Sequence, residues 1–255
     1  GNDTLTSVNG NSVLDGGDGD DKIISQGGNS TLDGGDGNDT LTGYHGGRNV
    51  LKGGAGDDII RLDSDFYNGY RGYGYRSSYF GSVFNGGLGD DDISGLRGED
   101  TYEYNLGDGQ DTLTDIGGND KIVFGAGITS EMVSLTHNAA GDLLITITDS
   151  ADATNNGSIR VVSGYINSAN NIEAIEFVSD TEQALDAVTI LSQASNVHGT
   201  ESDDTIMGTN GVDVVYSGAG DDVVESGGGD DVVYGEAGND TLTSVNGNSV
   251  LDGGD

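Results

Sequence analysis

The chain has 255 residues, with 44 acidic side chains against nine basic ones and a net charge of −35. That balance speaks against nucleic acid, whose phosphates need a basic surface, and against anionic membrane surfaces. There is no Cys, hence no disulfide framework, and no apolar run is long enough for a membrane span.

Residues 1–61 repeat with a period of nine. Aliphatic positions fall at Leu5, Leu14, Ile23, Leu32 and Leu41, and one residue inserted within 43–52 moves the series to Leu51 and Ile60. The segments GGDGDDKII (16–24), GGDGNDTLT (34–42) and GGAGDDIIR (53–61) place Asp21, Asp39 and Asp58 at position six, with Asp3 in the same phase. Between them, SVNGNSVLD (7–15), SQGGNSTLD (25–33) and the ten-residue GYHGGRNVLK (43–52) carry Ser12, Ser30 and Asn49 instead. Glycine supplies the positive-φ turn positions, and a three-residue strand points its middle side chain inward. Each nonapeptide therefore reads as a turn followed by a short strand.

Residues 62–85 break the period with five of the eleven Tyr, three of the five Phe, and Arg71 and Arg76. A stretch of this composition reads either as a contact loop, for a glycan, a surface ligand or another copy, or as a lid over its own fold. The pattern returns in degenerate form over 86–123, where the spacing slips from nine, with Asp91, Asp100, Asp111 and Asp120 at the matching positions and Ile93, Tyr102, Leu113 and Ile122 inward. Over 124–198 the glycine turns thin out. Longer alternating segments appear there, such as DLLITITD (142–149) and IEAIEFV (172–178), and predict a mostly β subdomain that interrupts or caps the roll. SDTEQALDAV (179–188) reads as one short helical turn.

The period is clearest over 199–243: GTESDDTIM, GTNGVDVVY, SGAGDDVVE, SGGGDDVVY and GEAGNDTLT. Position six is Asp throughout (Asp204, Asp213, Asp222, Asp231, Asp240), and position eight is aliphatic (Ile206, Val215, Val224, Val233, Leu242). Residues 238–255 are identical to residues 1–18, which predicts a tandem array with a period of 237 residues; the rival is a local copy of one coil.

This nonapeptide resembles the GGxGxDxUx repeat of RTX proteins, which form a calcium-binding parallel β-roll. The resemblance implies an all-β chain: RTX β-roll over 1–61 and 199–255, degenerate repeats over 86–123, and an interrupting subdomain. Within that subdomain GDGQDTL, DLLITI and IEAIEF resemble the haemolysin-type calcium-binding related module, although FVSDTEQ stands where that module usually closes with an FADGT-like turn. It further implies several structural Ca²⁺ ions held at the sixth-position Asp, from Asp3, Asp21, Asp39 and Asp58 through Asp91, Asp100, Asp111 and Asp120 to the series Asp204–Asp240. Two stacked carboxylates per site would give about eight to ten ions. Successive nonapeptides occupy opposite edges of the roll, so the Asp row should hold calcium. The Ser/Asn row should stack by neutral hydrogen bonds.

One aliphatic residue in nine buries little apolar surface, and stacked carboxylates repel. The roll should therefore need a cation to fold. Catalysis finds no support: HExxH and GxSxG are absent, and His45, His137 and His198 lie in unrelated contexts. Pairs such as Asp57-Asp58 are explained by a calcium turn. The resulting expectation is a non-enzymatic structural or adhesive unit of a large secreted RTX protein. It would leave the cell by type I secretion, fold on extracellular calcium and join further copies of itself in a filament. The alternatives are the RTX tail of an exported enzyme or toxin, and an S-layer lattice protein.

Overall fold

Each glycine turn delivers the chain into a short strand whose partner lies one coil away. In the computed structural model, Leu5 pairs with Ile23 and Leu14 with Leu32, eighteen residues apart. The structure describes residues 1–8, 10–44, 47–63, 81–138, 140–162, 172–179, 184–186, 196–208 and 212–255.

The first roll contains β1 (Thr4–Ser7), β2 (Val13–Asp18), β3 (Lys22–Ser25), β4 (Thr31–Asp36), β5 (Thr40–Tyr44), β6 (Val50–Ala55), β7 (Ile59–Asp63), β8 (Val83–Leu88), β9 (Asp92–Ser94), β10 (Thr101–Tyr104), β11 (Gln110–Thr114) and β12 (Lys121–Phe124). Odd and even strands form opposite parallel sheets. Their middle residues stack into one ladder in which Ile23, Leu32, Leu41, Leu51, Ile60 and Ile122 are fully buried. Positive φ is needed where coils approach closely: Gly35 has φ +108°, and a Cβ there would collide with the Gly17 carbonyl of the coil before.

The roll continues through the Tyr-rich interruption. Leu62 is 7% exposed in β7, and Val83 and Phe84 in β8 pair with Val50 and Leu51. The break therefore narrows from 62–85 to 64–80, which lies outside the described residues. Buried aromatics then widen the ladder, with Phe84 stacked on Tyr102 at 5.1 Å and Phe124 on Phe177 at 5.4 Å.

The interrupting segment contributes β13 (Val133–Asn138), β14 (Leu143–Ile147), β15 (Gly157–Val161), β16 (Ala174–Phe177) and β17 (Leu185–Asp186). The second roll contains β18 (Asn196–His198), β19 (Thr205–Met207), β20 (Val214–Tyr216), β21 (Val223–Glu225), β22 (Val232–Tyr234), β23 (Thr241–Thr243) and β24 (Val250–Asp252). β15 extends the odd sheet in parallel from β11, β14 and β13 follow antiparallel, and β18 resumes parallel pairing on β13. One sheet of thirteen strands thus passes through the interruption, while the eight-stranded even sheet ends at β17 and a three-stranded sheet, β19-β21-β23, starts afresh. Leu185–Asp186 is a strand where 179–188 reads as a helical turn, because Leu185 and Asp186 pair with Ile175 and Ala174 at an otherwise open sheet edge. No helix among the described residues is long and apolar enough to cross a membrane.

Candidate metal centre

On the odd edge the sixth-position carboxylates form a ladder. Asp3 N–H donates to Asp21 Oδ1 at 2.6 Å, Asp21 to Asp39 at 2.7 Å and Asp39 to Asp58 at 2.7 Å. Asp58 N–H then donates to Asp91 at 2.8 Å and Asp91 to Asp111 at 3.1 Å. One oxygen per carboxylate is committed to the neighbouring backbone. The other, Oδ2 of Asp21, Asp39, Asp58 and Asp91, is buried with no hydrogen-bond partner.

That second oxygen faces a hole kept open by the glycine at position one. A Cβ on Gly34 would collide with Asp39 Oδ2 and with the Gly53 carbonyl of the next coil, and Gly16, Gly53 and Gly86 stand in the same relation to Asp21, Asp58 and Asp91. A buried carboxylate oxygen beside a carbonyl oxygen, in a space no side chain enters, is the hard oxygen donor set that suits Ca²⁺.

Position five carries a second ladder that runs the opposite way. Asp20 N–H donates to Asn2 Oδ1, Asn38 to Asp20, Asp57 to Asn38, Asp90 to Asp57 and Gln110 to Asp90, at 2.9–3.1 Å. Position five is exposed and needs only an acceptor, so Asn and Asp interchange there. Position six needs an acceptor and a second, charged oxygen. The Asp-Asp pairs are therefore two structural jobs on adjacent residues.

The even edge is built differently. Ser12 N–H donates to Ser30 Oγ at 3.3 Å, Ser30 to Asn49 Oδ1 at 3.1 Å and Asn49 to Ser82 Oγ at 3.2 Å. Here position one is Ser7 and Ser25 in the first two coils; in the third it is Gly43, and Asn49 Nδ2 donates to the Tyr44 carbonyl at 3.2 Å. Ser25 Oγ donates to Ser30 Oγ at 2.7 Å, and Ser7 and Ser12 hydroxyls meet at 2.5 Å. A hydroxyl occupies the space that glycine leaves open on the other edge, so this row stacks by neutral hydrogen bonds. It turns acidic further along: Ser82 N–H donates to Asp100, Asp100 to Asp120 and Asp120 to Glu173 Oε2, at 2.7, 2.8 and 2.6 Å.

The second roll repeats both rows. Asp204 N–H donates to Asp222 at 2.7 Å and Asp222 to Asp240 at 3.0 Å, and the Oδ2 atoms of Asp222 and Asp240 are again buried without partners. Gly235 keeps the space beside Asp240 Oδ2 open, whereas position one before Asp222 is Ser217, whose Oγ donates to the Gly235 carbonyl at 2.9 Å. On its other edge Asp213 N–H donates to Asp231 at 3.1 Å, and Asp231 to Ser249 Oγ at 3.2 Å. That edge changes from acid to serine within one coil.

Without a cation five of the first roll's carboxylates hold protons unusually tightly. Burial, with neighbouring charges adding to it, pushes Asp91 and Asp100 up to about 6, Asp58 to about 7, and Asp111 and Asp120 to about 8. Three members of these rows escape a sequence reading. Ser82 carried a usable signal, since GSVFNGGLGDD (81–91) parallels NSVLDGGDGDD (11–21). Glu173 and Asp115, which stands beside Asp100 and Asp120, lie outside the nonapeptide and carried none.

A parallel β-roll that aims unpaired carboxylate oxygens into glycine-walled holes defines a metal-binding repeat protein. The model of the RTX calcium-binding nonapeptide repeat (4 copies) matches residues 1–32, 16–46, 33–66, 82–102, 198–233 and 234–255, more than half of the chain. The protein belongs to this family, and its structural ion is calcium. A search of curated proteins finds no match.

Proposed function

We propose that this chain is a structural repeat unit of a large secreted RTX protein, which folds when it meets extracellular calcium and builds a rod or filament. The observation that carries the reading is the row of buried, unpartnered Oδ2 atoms along an otherwise complete roll. Asp21, Asp39, Asp58 and Asp91 would hold ions on the first roll, and Asp240, beside Gly235, on the second. Calcium there supplies the positive charge that offsets the repulsion between stacked carboxylates. RTX repeats are typical of secreted proteins, and a chain unfolded in a calcium-poor cytosol would remain competent for export. In this reading the carboxylates serve the backbone and the metal, and the unit has no catalytic role.

The identity of 238–255 with 1–18 supports joining in tandem. Because β24 repeats β2 and β23 repeats β1, the thirteen-stranded sheet would run on into the next copy's even sheet, and the three-stranded sheet into its odd one. The sheets would overlap at every copy boundary. A ligand-binding role for the Tyr-rich stretch falls on residues outside those described.

Circular dichroism with calcium and with EGTA tests the folding claim. Loss of the β signal in chelator is expected, and a signal that persists unchanged contradicts it. Electron microscopy of the native material tests the assembly: rods are expected, whereas flat lattices or isolated molecules would overturn the filament reading.

A further inference from the structure

The even edge contains two acidic groups that the nonapeptide pattern does not supply, Glu173 at its end and Asp115 in its interior. Asp115 lies after β11, at none of the sixth positions, yet it is fully buried, and one carboxylate oxygen from each of Asp100, Asp115 and Asp120 lies within 4.8 Å of the others. Asp100 and Asp120 are each 1% exposed. Among the described residues no Lys, Arg or His pairs with any of the three; the ion pairs nearby are Lys121–Glu176 and Arg160–Asp142. Three buried carboxylates without a counter-charge are costly, because a buried ion needs a partner.

Two unpartnered oxygens belong to the cluster. The Oδ2 atoms of Asp100 and Asp120 are buried with no hydrogen-bond partner. Glycines also pack closely against the cluster: a Cβ on Gly95 would stand 1.9 Å from the Tyr102 hydroxyl, 2.6 Å from Asp115 Oδ2 and 3.2 Å from Asp100 Oδ2, and one on Gly118 would stand 1.7 Å from the Gly98 carbonyl and 2.5 and 2.8 Å from the two Asp120 oxygens. Asp115 is held in place from both sides. Its Oδ1 accepts the Gly117 N–H at 2.5 Å, and its Oδ2 accepts the Tyr102 hydroxyl. Each carboxylate oxygen has a second lone pair to offer.

We propose that Asp100, Asp115 and Asp120 together hold a calcium ion in a three-carboxylate site that fills before the repeat-turn sites. The proposal rests on the calcium reading of the turns. It differs from that reading in taking a ligand from outside the repeat, and in carrying more anionic charge than a turn where Asp faces a glycine carbonyl. Charge count is one of the ways oxygen sites raise their calcium affinity. The site lies where the neutral Ser/Asn row becomes acidic and beside the β12–β16 pairing, so its filling would fix the middle of the roll first.

Native mass spectrometry of the whole chain counts the ions. Asp115→Asn, which can still accept from Tyr102, should bind one calcium fewer than the parent, and the ion lost should be the first to bind in a titration. An unchanged count and unchanged first-binding step would overturn the proposal and leave Asp115 as a partner of Tyr102 and Gly117 only. A parent chain that binds no calcium would instead overturn the family-wide reading. Should Asp115→Asn not fold in calcium, Tyr102→Phe decides, since it keeps all three carboxylates. At the first equivalent of Tb³⁺ it should keep the ion and lose most of the tyrosine-sensitised emission. Emission equal to the parent's at that equivalent would sink the assignment.

Discussion

Asp39→Asn separates the two jobs of a sixth-position carboxylate. Asn keeps an Oδ1 that can accept the Asp21 N–H, so the backbone ladder survives. It removes the charge from the buried, unpartnered Oδ2. Without calcium the substitution should stabilise the roll. Asp39 stands between Asp21 and Asp58 at the strand spacing of about 4.8 Å, where each like-charge pair costs about 0.9 kcal/mol even at the dielectric of water. Removing two such pairs is worth about 2 kcal/mol. With calcium the sign reverses, because each ion lost forfeits about 2.7 kcal/mol when calcium stands at a hundredfold of its Kd. Urea unfolding followed by circular dichroism, in calcium and in EGTA with an osmolyte to favour compact states, reads both arms. A variant that is destabilised equally in the two conditions would refute the reasoning, since the loss would then be structural and not metal-linked.

On the neutral edge Ser30→Ala should cost about 1 kcal/mol through lost hydrogen bonds, and by the same amount with and without calcium in the same unfolding assay. Gly34→Ala should remove ion binding beside Asp39, because its Cβ enters the hole; calorimetric stoichiometry checks this, and an unchanged ion count would contradict it. The pH dependence should also invert with calcium. In chelator, Asp58, Asp91 and Asp111 have folded values of about 7, 6 and 8, above the ordinary 3.8, so the fold binds protons more tightly than the unfolded chain does. Stability should then rise as pH falls from about 8 towards 4, whereas in calcium protons compete with the ion and more calcium should be needed at pH 6 than at pH 8; β signal in chelator that falls over that range would contradict the first half. Phe84→Ala should destabilise the calcium-loaded roll by about 3–5 kcal/mol through the cavity left beneath Tyr102, read as a lowered urea midpoint.

Much of this architecture was legible because the period is short and each position has a single physical duty. Asp at six and an aliphatic residue at eight fix turn and rung, so Ile23 through Ile60 and Ile206 through Val233 could be placed without coordinates. The contrast between the edges was legible too, since Ser12, Ser30 and Asn49 cannot supply a charged second oxygen. What escaped depends on distance along the chain. Glu173 accepts the Asp120 N–H across 53 residues, and no local pattern foretells that. The antiparallel hairpin of β13, β14 and β15 reads as β from its alternation. That it would be laid into the odd sheet, carrying it into the second roll, follows from pairings that alternation does not specify. Phe84 and Ser82 were masked by their place beside a Tyr-rich stretch whose composition suggested a longer loop.

Cations should occupy the glycine-walled holes of the Asp row, while the Ser7 and Ser25 hydroxyls and the Asn49 amide satisfy the matching positions on the opposite edge. Anomalous diffraction from crystals grown in calcium tests this most directly. Peaks are expected beside Oδ2 of Asp21, Asp39, Asp58 and Asp91 on the first roll, and of Asp240 on the second, with none between Ser12, Ser30 and Asn49. Peaks along the serine row, or an Asp row without them, would contradict the account.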